Sequence, residues 1–299
     1  MKRRDPKHPY PVALLARVLQ VPRSTVYYRP HSADDAALVE TLLRLAGQWP
    51  TYGYRRLTAE LERAGFAVNR KRVLGLMRKL GILRPIKPAV HTTTMSRHNL
   101  PCYPNLVETL AVDRPDQVWV ADITYIRLDR EFVYLAVIMD QFTRNIRGWK
   151  LGRNLDQELT IGALRHALRT KRRPEIHHSD HGVQYAAKAY VARLKKRGVK
   201  LSMAAKGAAW ENGYAERLMR TIKEEHVRLT EYADLEDARR QIDTFISEVY
   251  AKKRIHSALG YRTPAEFERA WVSEHPQWKT QRITGGTPVH IQTFLHKLR

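Results

Sequence analysis

The chain has 299 residues, 43% of them hydrophobic, enough for two domains or for one large domain with appendages. Lysine and arginine number 53 against 30 acidic residues, a formal charge of +23 that favours a polyanionic partner, most simply DNA or RNA. The single cysteine, Cys102, excludes an intrachain disulfide and any multi-cysteine zinc site and fits a reducing cytoplasm, and no apolar run reaches the ~18 residues of a membrane span.

The basicity is uneven. Residues 1–112 carry 19 lysines and arginines against 7 acids, residues 113–230 carry 23 against 14, and residues 231–299 carry 11 against 9. The first stretch, MKRRDPKHPYPVALLARVL, is basic and then apolar, but Pro9, Pro11 and Arg17 argue against a signal peptide. An amphipathic helix is expected over 12–19, ending near Val21-Pro22, with a second helical turn from Arg23. Helix, tight turn, helix is the outline of a helix-turn-helix unit, although many such pairs bind no DNA. A further helix is expected over 34–46. After it comes TYGYRRLTAELERAGFAVNRKRVLGLMRKLGIL, where Leu57, Leu61 and Ala64 share a helical face and Gly65 is a stop. Asn69 is the expected N-cap of the next helix, with Val73, Leu76, Met77 and Leu80 inward and Gly81 at its end. Its outer face holds Arg70, Lys71 and Arg72, placed either to meet DNA or simply to be solvated; Arg55 and Arg56 precede it. Residues 1–83 therefore read as a helical DNA-binding region.

Residues 84–114 are proline-containing and basic and read as a linker. Strands are expected over 117–127, 131–140 and 145–151, then a helix over 156–170. A strand from Ile176 to Asp180 follows, then a helix over 185–197, a short strand over 200–203, and a helix carrying Glu216. Three strands followed by alternating helix and strand is the order of a ribonuclease-H-like α/β domain, a mixed five-stranded sheet with flanking helices, here over residues 115–270. A helix from about Asp234 turns Ala238, Ile242, Phe245, Ile246 and Val249 inward, and KKRIHSALGYRTPAEF closes the domain, either packing on the core or meeting DNA or another subunit. Residues 271–299 read as a tail.

Three acids stand out. Asp122 lies inside the apolar strand VWVADITYI, where an unpartnered charge is costly. Local amides are one answer; a metal is another. Asp180 ends the Ile176 strand, and Glu216 lies in a helical pattern with 35 residues between them, after a loop containing Lys206. Three carboxylates on separate elements, without a cysteine cluster, suit a hard divalent cation and not zinc.

VWVADITYI, HHSDHGVQY, the 35-residue spacing and WENGYAERLMRTIKEE together resemble the acid triad of DDE transposases and retroviral integrases. YGYRRLTAEL…NRKRVLGLMRKLGI upstream and RIHSALGYRTPAEFERA downstream narrow the resemblance to the OrfB-type transposases of insertion-sequence family three, over roughly residues 10–270. The resemblance implies that Asp122, Asp180 and Glu216 are catalytic and hold two Mg²⁺ ions, or Mn²⁺ in their place. Water would first free a 3′-OH at an element end, and that 3′-OH would then attack a second phosphodiester. Lys223, seven residues after Glu216 and so about 20° from it around a helix, stands where the resemblance puts a DNA-contacting lysine; a salt bridge is the alternative. Arg220 lies on the same side. Asn212 would either bond DNA or fix the loop, and Glu211 stands where the family more often has aspartate. His178 and His181 flank Asp180, either to orient it or as ordinary polar loop residues.

Expected partners are the terminal repeats of the element and target DNA, with at least a dimer on DNA. No helix-turn-helix and leucine-zipper segment of the kind such proteins gain by fusion is evident ahead of position 1, which makes an upstream OrfA product a further expected partner. The competing readings are a non-catalytic DNA-binding or regulatory remnant of a transposase, and a cellular ribonuclease-H-like nuclease.

Overall fold

The computed structural model describes residues 10–27, 35–83, 102–129, 131–170, 172–205 and 207–278. Its apolar side chains gather in three clusters: one inside a helical unit and one on each face of a five-stranded sheet.

The helical unit contains α1 (Val12–Val18), α2 (Arg23–Tyr27), α3 (Ala36–Gln48), α4 (Tyr54–Arg63) and α5 (Arg70–Lys79). Leu42, Leu57, Leu61, Val73 and Met77 are sealed in the core of α3 to α5. Asn69 caps α5 by accepting from the Arg72 amide at 2.9 Å, and Gly65 and Gly81 leave α4 and α5 at φ +92° and +67°, a backbone region that disfavours a Cβ. Ala64, expected on the inward face, instead caps α4 and is exposed; Thr58 and Ala59 take the buried positions.

The sheet has β1 (Val118–Arg127), β2 (Phe132–Asp140), β3 (Ile146–Gly152), β4 (Ile176–Ser179) and β5 (Lys200–Met203) in the order β3-β2-β1-β4-β5. The first three strands pair antiparallel; β4 and β5 join parallel to β1. With α6 (Gln157–Ala167), α7 (Val183–Ala186), α8 (Lys188–Lys195), α9 (Gly213–Glu225), α10 (Leu235–Thr244) and α11 (Pro264–Glu274), this is the expected ribonuclease-H-like arrangement behind a helix-turn-helix region. Odd-numbered β1 residues such as Trp119 and Ala121 pack under α6 and α8, and even-numbered ones such as Val118 and Val120 under α9 and α10. Gly148 lets α6 close on β3, because a Cβ there would stand 2.4 Å from the Ala163 carbonyl oxygen and from the Ala167 nitrogen.

Two helices depart from the sequence pattern. The helix expected over 185–197 is broken at Ala187, which is extended at φ −60°, ψ 133°. Five residues along one helix turn 500°, so an unbroken helix would face Tyr185 and Tyr190 apart; the break lets both enter one core, edge to face at 5.5 Å. The helix after Asp234 passes into a π-helical turn, Phe245–Tyr250, whose wider turn brings Tyr250 into the core and leaves Val249 only partly buried.

Residues 84–101 of the expected linker and 279–299 of the expected tail lie outside the described residues. From 102 onward the linker packs on the sheet domain: Leu106 donates its amide to Ser202 Oγ at 2.9 Å, and Val107, Leu110 and Val112 lie against the α9-side core. At the other end α11 starts with a capping box, Thr263 and Glu266, and runs past the expected boundary to Glu274. Its Glu268 meets Arg147 on β3 at 2.9 Å and also pairs with Arg172.

The closing segment also touches the helical unit. Ile255 sits fully buried among Leu42, Leu57 and Val73, and its amide donates to the Tyr52 hydroxyl at 3.1 Å. Nearby, Glu225 at the end of α9 receives Arg254 at 2.6 Å and Arg56 at 3.1 Å. Among the described residues no helix is long and apolar enough to cross a membrane.

Candidate active site

Strand register alone brings two of the acids together. β1 and β4 run parallel with Ala121 opposite Ser179, so Asp122, still within β1 opposite Val137, and Asp180, just past the end of β4, are neighbours. Alternation then fixes the face, since Val118 and Val120 lie under α9 and Asp122 continues their row. Asp122 is half-buried at the middle of the domain, and its Oδ1 accepts the Ile123 amide at 2.8 Å.

The third acid arrives on α9. Ala215, Leu218, Met219 and Ile222 fasten this helix to the sheet, which leaves Glu216 in its first turn, exposed, on the flank toward Asp122. A carboxylate there suits the positive end of the helix dipole. Burial, then Asp180, then Glu216 raise the Asp122 carboxyl from 3.8 to about 8, while the Ile123 amide and Lys223 oppose the rise. All three acids and Lys223 therefore share one electrostatic neighbourhood. Burial lowers the Lys223 ammonium from its ordinary value, with Arg228 acting in the same direction and Asp122 against it, and its Nζ stands 4.1 Å from the Tyr125 ring centroid. Among the described residues no acid forms a salt bridge with Lys223.

Two further residues shape the site. Asn212, at the head of α9, is buried and donates its Nδ2–H to the Ala121 carbonyl at 3.0 Å. It ties the start of the Glu216 helix to the strand position just before Asp122. Tyr185 was not singled out from the sequence, although it stands in HHSDHGVQY. It is buried, and its phenol is pushed well above 10.0 by burial, Tyr190, Asp180 and Asp122. Gly182 gives this corner room: a Cβ there would lie 3.0 Å from Asp180 Oδ1.

The donor set is all oxygen, which fits Mg²⁺ or Mn²⁺ in kind. The spacing is looser than expected from the sequence. Among the described residues no group of three or more histidine, cysteine, aspartate or glutamate side chains is arranged to hold a metal ion. Asp122 and Asp180 are neighbours by strand register, while Glu216 is exposed on its helix.

The remaining sequence candidates are dispersed. Arg220 is exposed on α9 and Lys206 lies outside the described residues. Arg55 is exposed beside Tyr54. Arg56 is partly buried, bonded to Glu225 and to the Thr51 carbonyl at 3.1 Å. On α5, Lys71 is exposed, Arg70 lies 5.7 Å from the Tyr261 ring centroid, and Arg72 pairs with Asp35. His178 is fully buried inside β4, its Nδ1 2.8 Å from Ser202 Oγ, and burial lowers its pKa; His181 is buried beyond Asp180. Glu211 accepts from Asn105 Nδ2 and the Ala205 amide, each at 2.8 Å, closing the loop ahead of α9.

Comparison with known proteins agrees with this layout. Residues 112–209 and 197–264 match two families each described as an integrase core domain, and residues 33–89 match an HTH-like domain. The chain is 39% identical over 224 residues to the insertion element IS600 uncharacterized 31 kDa protein of Shigella sonnei, covering 74% of this chain and 82% of that one. It is 30% identical over 276 residues to transposase InsF for insertion sequence IS3A of Escherichia coli (strain K12), covering 87% and 94%. It is 32% identical over 224 residues to the transposase for insertion sequence element IS629 of Shigella sonnei, covering 74% and 75%.

Proposed function

The chain belongs to the IS3 family of transposases, and on that premise we propose that it cuts the ends of an insertion element and joins the freed 3′-OH to another DNA strand by in-line displacement at phosphorus. One observation supports this reading above the rest: Asp122, inside an otherwise apolar strand, is brought beside Asp180 by strand register, and burial first, then Asp180 and Glu216, raise its carboxyl to about 8. A structural aspartate would be expected to sit beside a cation or a row of donors instead.

Asp122, Asp180 and Glu216 would hold two Mg²⁺ ions, or Mn²⁺ in their place, once Glu216 turns inward from its exposed position. Bound there, the metal would supply Lewis-acid stabilisation of charge at the attacking and leaving oxygens. The protein's own part is placement. The β1–β4 register holds two acids side by side, and Asn212 holds the head of the third acid's helix against the same strand. Lys223, kept over Tyr125 on the acid face, is placed to meet a phosphate of the bound DNA, with Arg220 beside it. Lys206 and the exposed Arg55, Arg70 and Lys71 would add contacts to the backbone, with Arg56 and Arg72 held by Glu225 and Asp35. Two element ends must be paired for joining, so the acting form is a homo-oligomer on DNA.

The second reading is a DNA-binding protein without catalysis, and the spread of the three acids is the observation in its favour. Duplexes covering the DNA on either side of the reading frame separate the two. Purified protein with Mn²⁺ should nick one strand at a fixed position near each end, and Asp122→Asn should bind the same duplexes without nicking. Binding without nicking by both proteins would establish the second reading.

A further inference from the structure

Between the helical unit and the sheet domain lies a cleft of about 670 Å³, within the range of ligand sites. Five arginines line it, Arg55 and Arg56 from α4, Arg144 from the β2–β3 turn, Arg217 from α9 and Arg254 from the closing segment, and no carboxylate does. Glu225 behind it fixes Arg254 and Arg56. Among the described residues no acid pairs with Arg55, Arg144 or Arg217. His256, also in the lining, reports the resulting field: burial first, then Arg254, Arg144, Arg56 and Arg217 push its imidazole down to about 2. Four guanidiniums thus act on one ring.

The cleft is built rather than incidental. Arg144 adopts a left-handed backbone at φ 62°, a region that a residue with a Cβ seldom takes. Its guanidinium carbon stands 4.1 Å from the Tyr214 ring centroid, and Tyr214 is 46% exposed, so one face of the ring remains open to the cleft. Tyr54 lines the same space. Cations flanked by open aromatic faces are the chemistry that grips a nucleic-acid strand. Position sets it apart from the acids: Tyr214, Arg217, Leu218 and Thr221 line it from the flank of α9 opposite Glu216 and Lys223, so the cleft stands across that helix from the acid face.

We propose that this cleft binds the backbone of a DNA strand at a distance from the acids, with Arg144, Arg217 and Arg55 taking phosphates and Tyr214 and Tyr54 receiving the sugar or an unstacked base. The proposal rests on the reading of the chain as a DNA strand-transfer enzyme. It gives the YGYRR and RIHSALGY segments a joint role, since the helical unit and the core would close on one strand from two sides.

The test is DNA binding by the full chain without metal, followed as a function of KCl concentration on an element-end duplex with single-stranded flanks. Removing one phosphate-binding cation should reduce the slope of log affinity against log salt by about 1. Arg144→Gln/Arg217→Gln should lower it by about 2, whereas Arg165→Gln/Arg169→Gln, an equal charge change on exposed residues at the α6 face, should leave it unchanged. Arg217→Gln alone, on the exposed side of α9, should lower it by about 1, and Arg217→Lys should restore it; this pair decides the matter if the double variant folds poorly. Equal slopes for the cleft and α6 variants overturn the cleft while leaving the transposase reading intact. Failure of the parent chain to bind any DNA overturns both.

Discussion

Replacing Asp122 by asparagine should abolish catalysis and at the same time stabilise the metal-free protein. The carboxyl is raised from 3.8 to about 8, so near neutral pH the folded state holds a proton that the unfolded chain has released. Stability therefore falls as pH rises through the interval from about 4 to 8. Each pH unit of that interval costs about 1.4 kcal/mol, which by pH 7 accumulates to roughly 4 kcal/mol. This is the upper figure, because Asp122 is only half-buried and water relieves part of the conflict. Asparagine carries no such penalty, and its side-chain oxygen can still accept the Ile123 amide. At ~2–4 °C per kcal/mol for a chain of this size, the melting temperature in EDTA at pH 7 should rise by up to about 10 °C. The gain should shrink to about 0.5 kcal/mol near pH 4 and vanish by about pH 3, where the parent's Asp122 is protonated in both states. Millimolar Mg²⁺ should raise the melting temperature of the parent and not that of the variant. An Asp122→Asn protein no more stable than the parent at pH 7, or one equally stabilised at pH 4, would refute the electrostatic conflict at the heart of the site.

Three other outcomes follow from the structure. Gly148→Ala drives a methyl to within 2.4 Å of two backbone atoms of α6 and should cost about 3 kcal/mol or more, read as a lower urea midpoint. Glu225→Gln leaves Arg254 and Arg56 without their counter-charge between the helical unit and the core; a loss of ~3–5 kcal/mol, read as a lower urea midpoint, is expected. Burial holds His177 near 3 and His226 near 4, below the ordinary 6.5, so the unfolded chain takes up protons first and stability should fall from about pH 6.5 toward pH 4. The fall is best measured in the Asp122→Asn background, where the opposing acid is gone, and His177→Gln should lessen it, leaving the shares of His226 and His256.

Most of the architecture was legible from local chemistry. Apolar runs separated by short connections announced β1 to β3, Asn69 marked the start of α5 by capping, and Gly65 and Gly81 marked helix ends. The misses have a common cause. Nothing local predicts the break at Ala187 or the π-turn at Phe245–Tyr250, because each is set by which aromatic ring the core receives. Ala64 was misplaced because helical periodicity does not say where the last turn leaves the core.

The site divides in the same way. By itself the sequence nominated Asp122, Asp180 and Glu216, the first because a carboxylate in an apolar strand must find a partner, the other two through their spacing and the resemblance they carry. It could not fix how closely they approach: strand register sets Asp122 beside Asp180, whereas the distance to Glu216 depends on how α9 is clamped to β1 by Asn212 and the Leu218 face. Nor could it foresee the arginine cleft, whose members come from positions 55 to 254 and are gathered only because Ile255 carries the closing segment into the helical unit's core. Charge type is a property of single residues, but a field is a property of distances, and distances between remote residues exist only once the chain has folded.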